Sequence, residues 1–296
     1  FSQYYGNNVT HSNANYNTSV GSTALDSITT GSSNTCFGAK AGTALTDSTG
    51  NILVGSEAGG GISGSASYNI GIGASCMASG NFTGANYNIG IGAFSMRGVT
   101  SGDNNIGIGG WATKEVSSGL DNIGIGYGAA KEVTTGSRNI GIGGNVYNAA
   151  TTESDNIAIG YDALGGAVDG GEFNVVIGNY AGDALTSADN SVMIGHNAGS
   201  AVTTGAENVM VGFQAGMGIT DGESNIFIGQ STGYSGGSDE TGNVGIGHLA
   251  MSSIANADYN VSVGYKSGRY VKGEHNLYLG FESGDDSSNT GNKNIG

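Results

Sequence analysis

The chain has 296 residues, 58 of them glycine and none proline, with 11% charged side chains and a net charge of −15. Twenty-four acids against nine bases argue against binding nucleic acid, whose phosphates need a basic face, and against an anionic membrane surface. No stretch reaches the ~18 consecutive apolar residues of a membrane span, so membrane insertion by this segment is not expected. The hydrophobic fraction of 37% is strictly patterned, which sets the chain apart from glycine-rich disorder. The lack of proline suits a chain made of hydrogen-bonded strands, where proline removes a ladder donor.

Residues 1–16 carry no clear repeat and read as a lead-in segment or a degenerate coil. From there the pattern Asn-apolar-x-apolar-Gly starts at 17, 34, 51, 69, 88, 105, 122, 139, 156, 174, 191, 208, 225, 243, 260, 276 and 294. Sixteen of these seventeen starts are Asn, Ser191 being the exception, and the Gly four residues on recurs in every complete copy. The asparagine is counted below as position 0. Positions +1 and +3 are apolar with the period of a β-strand, as in Ile123 and Ile125, and are expected to be buried. The Gly at +4 permits a sharp turn. Position +7 is small, typically Ala, and the residue after it is often Gly, Leu or Met, so this stretch reads as a second, shorter strand. The remainder is polar and Gly-rich and reads as an outward loop, longer or more irregular at 61–68, 80–87 and 234–242.

A repeat of ~17 residues is one solenoid coil, stacked on the next by parallel strand pairing. The predicted fold is therefore all-β, a parallel β-solenoid or β-roll of about 17 coils over residues 17–296. In it the asparagines, among them Asn105, Asn122, Asn139, Asn156, Asn174, Asn208 and Asn225, form a structural ladder whose amides bond along the row. Position +2 points away from the +1/+3 face and is never charged; it runs from Ser19, Cys36 and Leu53 through a set of glycines to Met193, Met210, Phe227 and Tyr278. Both strand faces are thus expected to be dry, one inside the coil and one against a partner. The chain opens on Phe1 and stops at Asn294-Ile295-Gly296, the beginning of a further repeat, so both ends are expected to be boundaries inside a longer protein, truncated at the C-terminal end.

Chemistry is hard to place on this pattern. Gly-x-Gly-x-x-Ala strings at 107–112, 124–129 and 245–250 are products of the repeat, with no βαβ unit around them, so no cofactor is expected. His196 and His248 share a repeat position three coils apart, ~14 Å by strand spacing, too far to share a metal. Cys36 and Cys76 match no metal spacing and are expected as buried thiols. Loop acids such as Asp121, Asp155, Asp189, Glu207 and Asp258 read as solvated charge rather than a calcium site. Threonine looks scattered through the loops, which argues against an ice-binding array. The candidate binding feature is the row at +5, which turns aromatic with Tyr127, Tyr161, His196, Phe213, His248, Tyr265 and Phe281. Such rings could stack on sugars, or on one another, or fill a seam between chains.

The stretches NIGIGYGAA, NIAIGYDAL and NVSVGYKSG resemble the head repeats of trimeric autotransporter adhesins, and equally the repeats of bacteriophage tail-fibre proteins. The similarity runs across 17–296, with longer loops and more +5 aromatics than the adhesin heads carry. The resemblance implies a left-handed parallel β-roll assembled as a homotrimer. It also implies a non-enzymatic fibre shaft or adhesin segment, extracellular or on a virion, that recognises a cell-surface glycan or other host receptor. A phage tail fibre is the leading expectation; a purely structural filament or a bacterial surface adhesin head is the alternative.

Overall fold

The computed structural model describes residues 15–79, 82–237 and 239–286. Most of the lead-in segment, the last repeat start at Asn294, and Gly80, Asn81 and Ser238 of the irregular loops lie outside them. The described residues wind as a parallel β-solenoid of about 15 turns with ~17-residue spacing. The chain divides into two compact units, Phe1–Thr152 and Glu153–Gly296. Each carries eight three-residue strands that begin one residue after the repeat start, one to a coil, from Thr18–Val20 to Ile140–Ile142 in the first unit and from Ile157–Ile159 to Leu277–Leu279 in the second. Pairing is parallel and in register at the repeat: Ile106 lies on Ile123 and Ile108 on Ile125, and in the second unit Val192 lies on Val209.

The strand's inward face is +2, not +1/+3. Cys36, Leu53, Val176, Met193, Met210 and Phe227 are fully buried inside the coil, whereas Ile52, Val54, Ile72, Ile91, Ile226, Ile228 and Ile246 are each 36–41% exposed. The expectation that +1 and +3 are buried therefore fails within the single chain. They form an apolar outer face instead.

The glycines at +2 have a packing cause. Wherever +2 is Gly, the residue at +8 is larger: Gly71 with Met77, Gly90 with Met96, Gly141 with Tyr147, Gly245 with Met251. Where +2 is large, +8 is Gly: Leu53 with Gly59, Met193 with Gly199, Met210 with Gly216, Phe227 with Gly233. A Cβ on Gly216 would stand 2.7 Å from Cε of Met210, and one on Gly71 would stand 3.3 Å from Sδ of Met77. Most coils thus fill the lumen from one side or the other, as close packing favours, while Gly124 with Ala130 and Ser262 with Gly268 are small on both sides.

Two further expectations are corrected. The stretch at +5 to +8 is not a strand, because +6 and +8 are left-handed in every described coil: Trp111 has φ 63°, Tyr180 56°, Met77 53° and Met251 49°. Its coil-to-coil bonding survives the change, with Lys40 N–H donating to the Ser22 carbonyl at 2.8 Å and Leu25 N–H donating to that of Ala41 at 3.1 Å. The loop, in turn, is not merely outward. Its position +11 gives a third buried apolar row, Leu45, Ile62, Val99, Val116 and Val133 in the first unit and Leu185, Val202, Ile219, Ile254 and Val271 in the second. Short extra strands also pair outside the repeat strands, Ile62–Ser63 with Phe82–Thr83 in the irregular loops and Ser253–Ala255 with Tyr270–Lys272 further on.

The Gly at +4 is stereochemically required. Gly212 has φ 142°, and a Cβ there would lie 2.5 Å from the carbonyl oxygen of Gly229 on the next coil. Stacked coils at this contact leave no room for any side chain.

Candidate functional site

The asparagine ladder is built as the sequence suggests, and it does more than bond along its row. Asn122 donates its backbone N–H and Nδ2 to Oδ1 of Asn105 at 2.9 and 3.0 Å, and its Nδ2 also donates to the Gly136 carbonyl at 2.8 Å. Asn139 donates to Oδ1 of Asn122 in the same two ways. Asn105 repeats the clamp on the Gly119 carbonyl. In the second unit Asn156 clamps Gly171, Asn174 clamps Ala188, Asn208 clamps Gly222 and Asn225 clamps Glu240. Each side chain ties the start of a coil to the return of its own loop while every amide atom finds a partner in a dry interior.

The aromatic row at +5 separates into stretches. His196 and Phe213 stack at 5.6 Å, and His248, Tyr265 and Phe281 stack in sequence at 5.3 and 5.2 Å. Tyr161 meets Tyr180 edge-on at 5.5 Å, and Tyr180 meets His196 at 6.1 Å, so a +6 ring bridges the coil where +5 is Asn179. Gln230 interrupts the row between Phe213 and His248. A saccharide between two rings needs ~8 Å, about 4 Å of contact on each face. Stacks spaced at 5.2–5.6 Å exclude it and present only edges and terminal faces. Tyr127 belongs to none of these stacks and is 65% exposed.

Sequence reasoning missed a second exposed aromatic row at −1, where Tyr16, Tyr68, Tyr87, Phe173 and Tyr259 are each more than half exposed. Every −1 residue in the described coils is left-handed, Tyr68 at 60° and Tyr87 at 59° among them, and these two rings stack at 5.1 Å. The +6 row also holds Phe94 and Trp111, stacked at 4.7 Å. Alignment of the coils would have exposed both rows, since each holds a constant offset from the asparagine.

The threonines are less scattered than expected, because eight of them hold one repeat position. Thr29, Thr46, Thr100, Thr134, Thr151, Thr186, Thr203 and Thr220 all stand at +12. The hydroxyl is spent inside the stack: Thr29 donates to the Thr46 carbonyl at 3.0 Å, Thr134 to Thr151 at 2.9 Å and Thr186 to Thr203 at 3.0 Å. Burial pushes the thiols of Cys36 and Cys76 up to about 12, which keeps them un-ionised and unreactive at neutral pH. Burial, with Asp162 nearby, also raises the carboxyl of Asp183. Among the described residues no three His, Cys, Asp or Glu side chains are grouped to hold a metal, and no helix is long and apolar enough to cross a membrane.

No family model matches this chain, and no curated protein or solved structure matches it either.

Proposed function

We propose that this segment is a non-enzymatic fibre shaft, assembled as a homotrimer, that carries a surface for recognising a host cell, with a phage tail fibre as the leading case. The observation that carries the reading is the outer strand face. In each unit, eight strands point +1 and +3 side chains away from the coil interior, and most are Ile or Val. Together they offer on the order of 800 Å² of apolar surface per unit, where a lone monomer rarely exposes more than a few hundred in one patch. That is the area one partner gives to a stable protein–protein interface. Copies of the same chain, with the same 17-residue register, supply a matching face coil by coil.

The outer loops and the exposed aromatics then remain for recognition outside the particle. Fluorescently labelled fibre incubated with whole cells and with purified surface glycans tests this directly. Saturable binding, lost on removing the surface polysaccharide, supports recognition; absence of binding to every surface tried sends the protein to the alternative, a structural filament. The self-stacked rings of the second unit favour that alternative for their part of the chain, since their faces are already used.

A further inference from the structure

The nine Lys and Arg residues are sparse against 24 acids, yet three of them form a row. Arg97, Lys114 and Lys131 each stand at +9, on three consecutive coils of the first unit. The next residue in that row is Asn148. Beside it runs the +6 row, Phe94, Trp111, Gly128 and Asn145. The Arg97 guanidinium lies 5.7 Å over the Phe94 ring and the Lys114 ammonium 5.1 Å over Trp111.

Gly128 leaves a gap in the +6 row. Trp111 and Asn145 are two coils apart, ~9.6 Å by strand spacing, and the Asn145 amide leans toward Gly128, its Oδ1 3.0 Å from where a Cβ would stand. The result is a cavity of about 330 Å³ walled by Trp111, Tyr127, Asn145, Lys114, Lys131 and Asn148. A cavity of that volume has room for one saccharide ring, room that the stacks in the +5 row do not leave. A second depression of about 210 Å³ shares Lys114 and includes Arg97 and Ser79. Arg97 Nε is buried there without a hydrogen-bond partner.

We propose that this cavity binds a carboxylate-bearing sugar residue of an acidic polysaccharide, with the ring on Trp111 and Tyr127 and the carboxylate on Lys114 and Lys131. The proposal rests on the surface-recognition reading and gives it a place and a ligand class. Lys114 pairs with Glu115, and Lys131 with Glu132 at 3.2 Å, but both carboxylates are about half exposed. Such pairs are weak, and each occupies only one of the three ammonium donors. Lys114 and Lys131 balance these two acids, and Arg97 in the adjoining depression leaves the three-coil patch net positive in a chain of net charge −15. The side amides of Asn145 and Asn148 suit sugar hydroxyls, since each amide both donates and accepts.

Trp111 is the only tryptophan of the chain, so its emission reports the cavity alone. Titration of the intact protein with trigalacturonic acid is expected to change that emission saturably, and more weakly at high salt. Neutral galactotriose should bind at least ~10-fold more weakly, a difference of about one charged contact. Lys114→Gln with Lys131→Gln should erase the preference for the acid. Gly128→Phe should abolish both responses by filling the gap. It should lower the thermal midpoint only slightly, through the left-handed angle of 64° and a shift of the Asn145 amide, whose Oδ1 lies 3.0 Å from the new Cβ, because +6 carries aromatics at the same backbone angle in Phe94 and Trp111. Equal affinity for acid and neutral sugar overturns the proposal, as does an equal response to inorganic sulfate, or no saturable response up to ~10 mM. If the Trp111 titration succeeds while labelled fibre binds no surface, the recognition reading fails and the ligand site stands. The converse result removes the site alone.

Discussion

Ser191 is the one break in the asparagine ladder, and its neighbours show what the break costs. Asn174 Oδ1 accepts only the backbone N–H of Ser191 at 3.0 Å, and Asn208 donates its backbone N–H to the Ser191 hydroxyl at 3.1 Å. The Gly205 carbonyl, which an amide at 191 would clamp, is taken at 3.0 Å by the side chain of Asn208, already bonded to Gly222. Replacing Ser191→Asn adds three bonds: the new amide to Asn174, the new amide to Gly205, and Asn208 to the new amide. It removes two, Asn208 to Gly205 and Ser191 to the Asp189 carbonyl. A net gain of one buried hydrogen bond stabilises by about 0.5–1.5 kcal/mol. The mirror change, Asn122→Ser, should cost about the same. Asn122→Ala should cost more, about 3–6 kcal/mol, because the Gly136 carbonyl and both Asn139 donors lose their partner in a dry interior. Stacked coils can unfold in sections, so amide hydrogen exchange at Gly205 and Asn208 is the proper assay, beside urea unfolding of the whole chain. Destabilisation by Ser191→Asn, or equal costs for Asn122→Ser and Asn122→Ala, would refute the clamp.

The packing and the pKa shifts set four further outcomes. Met210→Gly should cost about 2–5 kcal/mol as a cavity, and Gly216→Met alone should overpack the same lumen. The two together should recover about 0.5–3 kcal/mol in a double-mutant cycle, and strict additivity would contradict the shared lumen. Gly212→Ala should cost at least ~3 kcal/mol, read as a loss of exchange protection in the coils on either side, because backbone angle and the Gly229 carbonyl both oppose a Cβ. Cys36 and Cys76 should ignore a thiol reagent at pH 8 and react on unfolding; reaction of the native protein within minutes contradicts their burial. Their folded pKa of about 12 lies above the ordinary 9.0, so the folded state forgoes an ionisation that the unfolded chain gains. Stability should therefore fall as pH rises from 9 toward 12, and Cys36→Ala and Cys76→Ala should flatten that limb, as unfolding midpoints against pH would show.

The coil length, the strand and the ladder were legible because each is written at a constant offset from Asn, and a parallel stack turns offsets into contacts. The inward direction of the strand was not. Alternation states that +2 opposes +1 and +3, yet both sets are apolar here, so hydrophobicity alone cannot choose between them. The choice was still present as a covariation inside the chain, Gly at +2 with Met77 or Tyr147 at +8 and Gly at +8 with Met210 or Phe227 at +2. The left-handed turns were opaque for another reason. Residues such as Tyr68, Trp111 and Tyr180 rarely adopt positive φ, and here the inter-coil hydrogen bonds impose it. The +5 aromatics were legible as a row, but whether their faces are free depends on ring spacing, which only coordinates supply. The cavity at Gly128 was hidden for a related cause: an absent side chain leaves no mark until its neighbours one coil away on either side are placed.

The outer Ile and Val face is the feature on which the functional account turns, and the mass of the purified protein in solution tests it most directly. Light scattering or sedimentation equilibrium should return three chains of 29.3 kDa, about 88 kDa, at every concentration down to the micromolar range. A stable, non-aggregating species of 29.3 kDa would contradict it, because that face would then be standing in water.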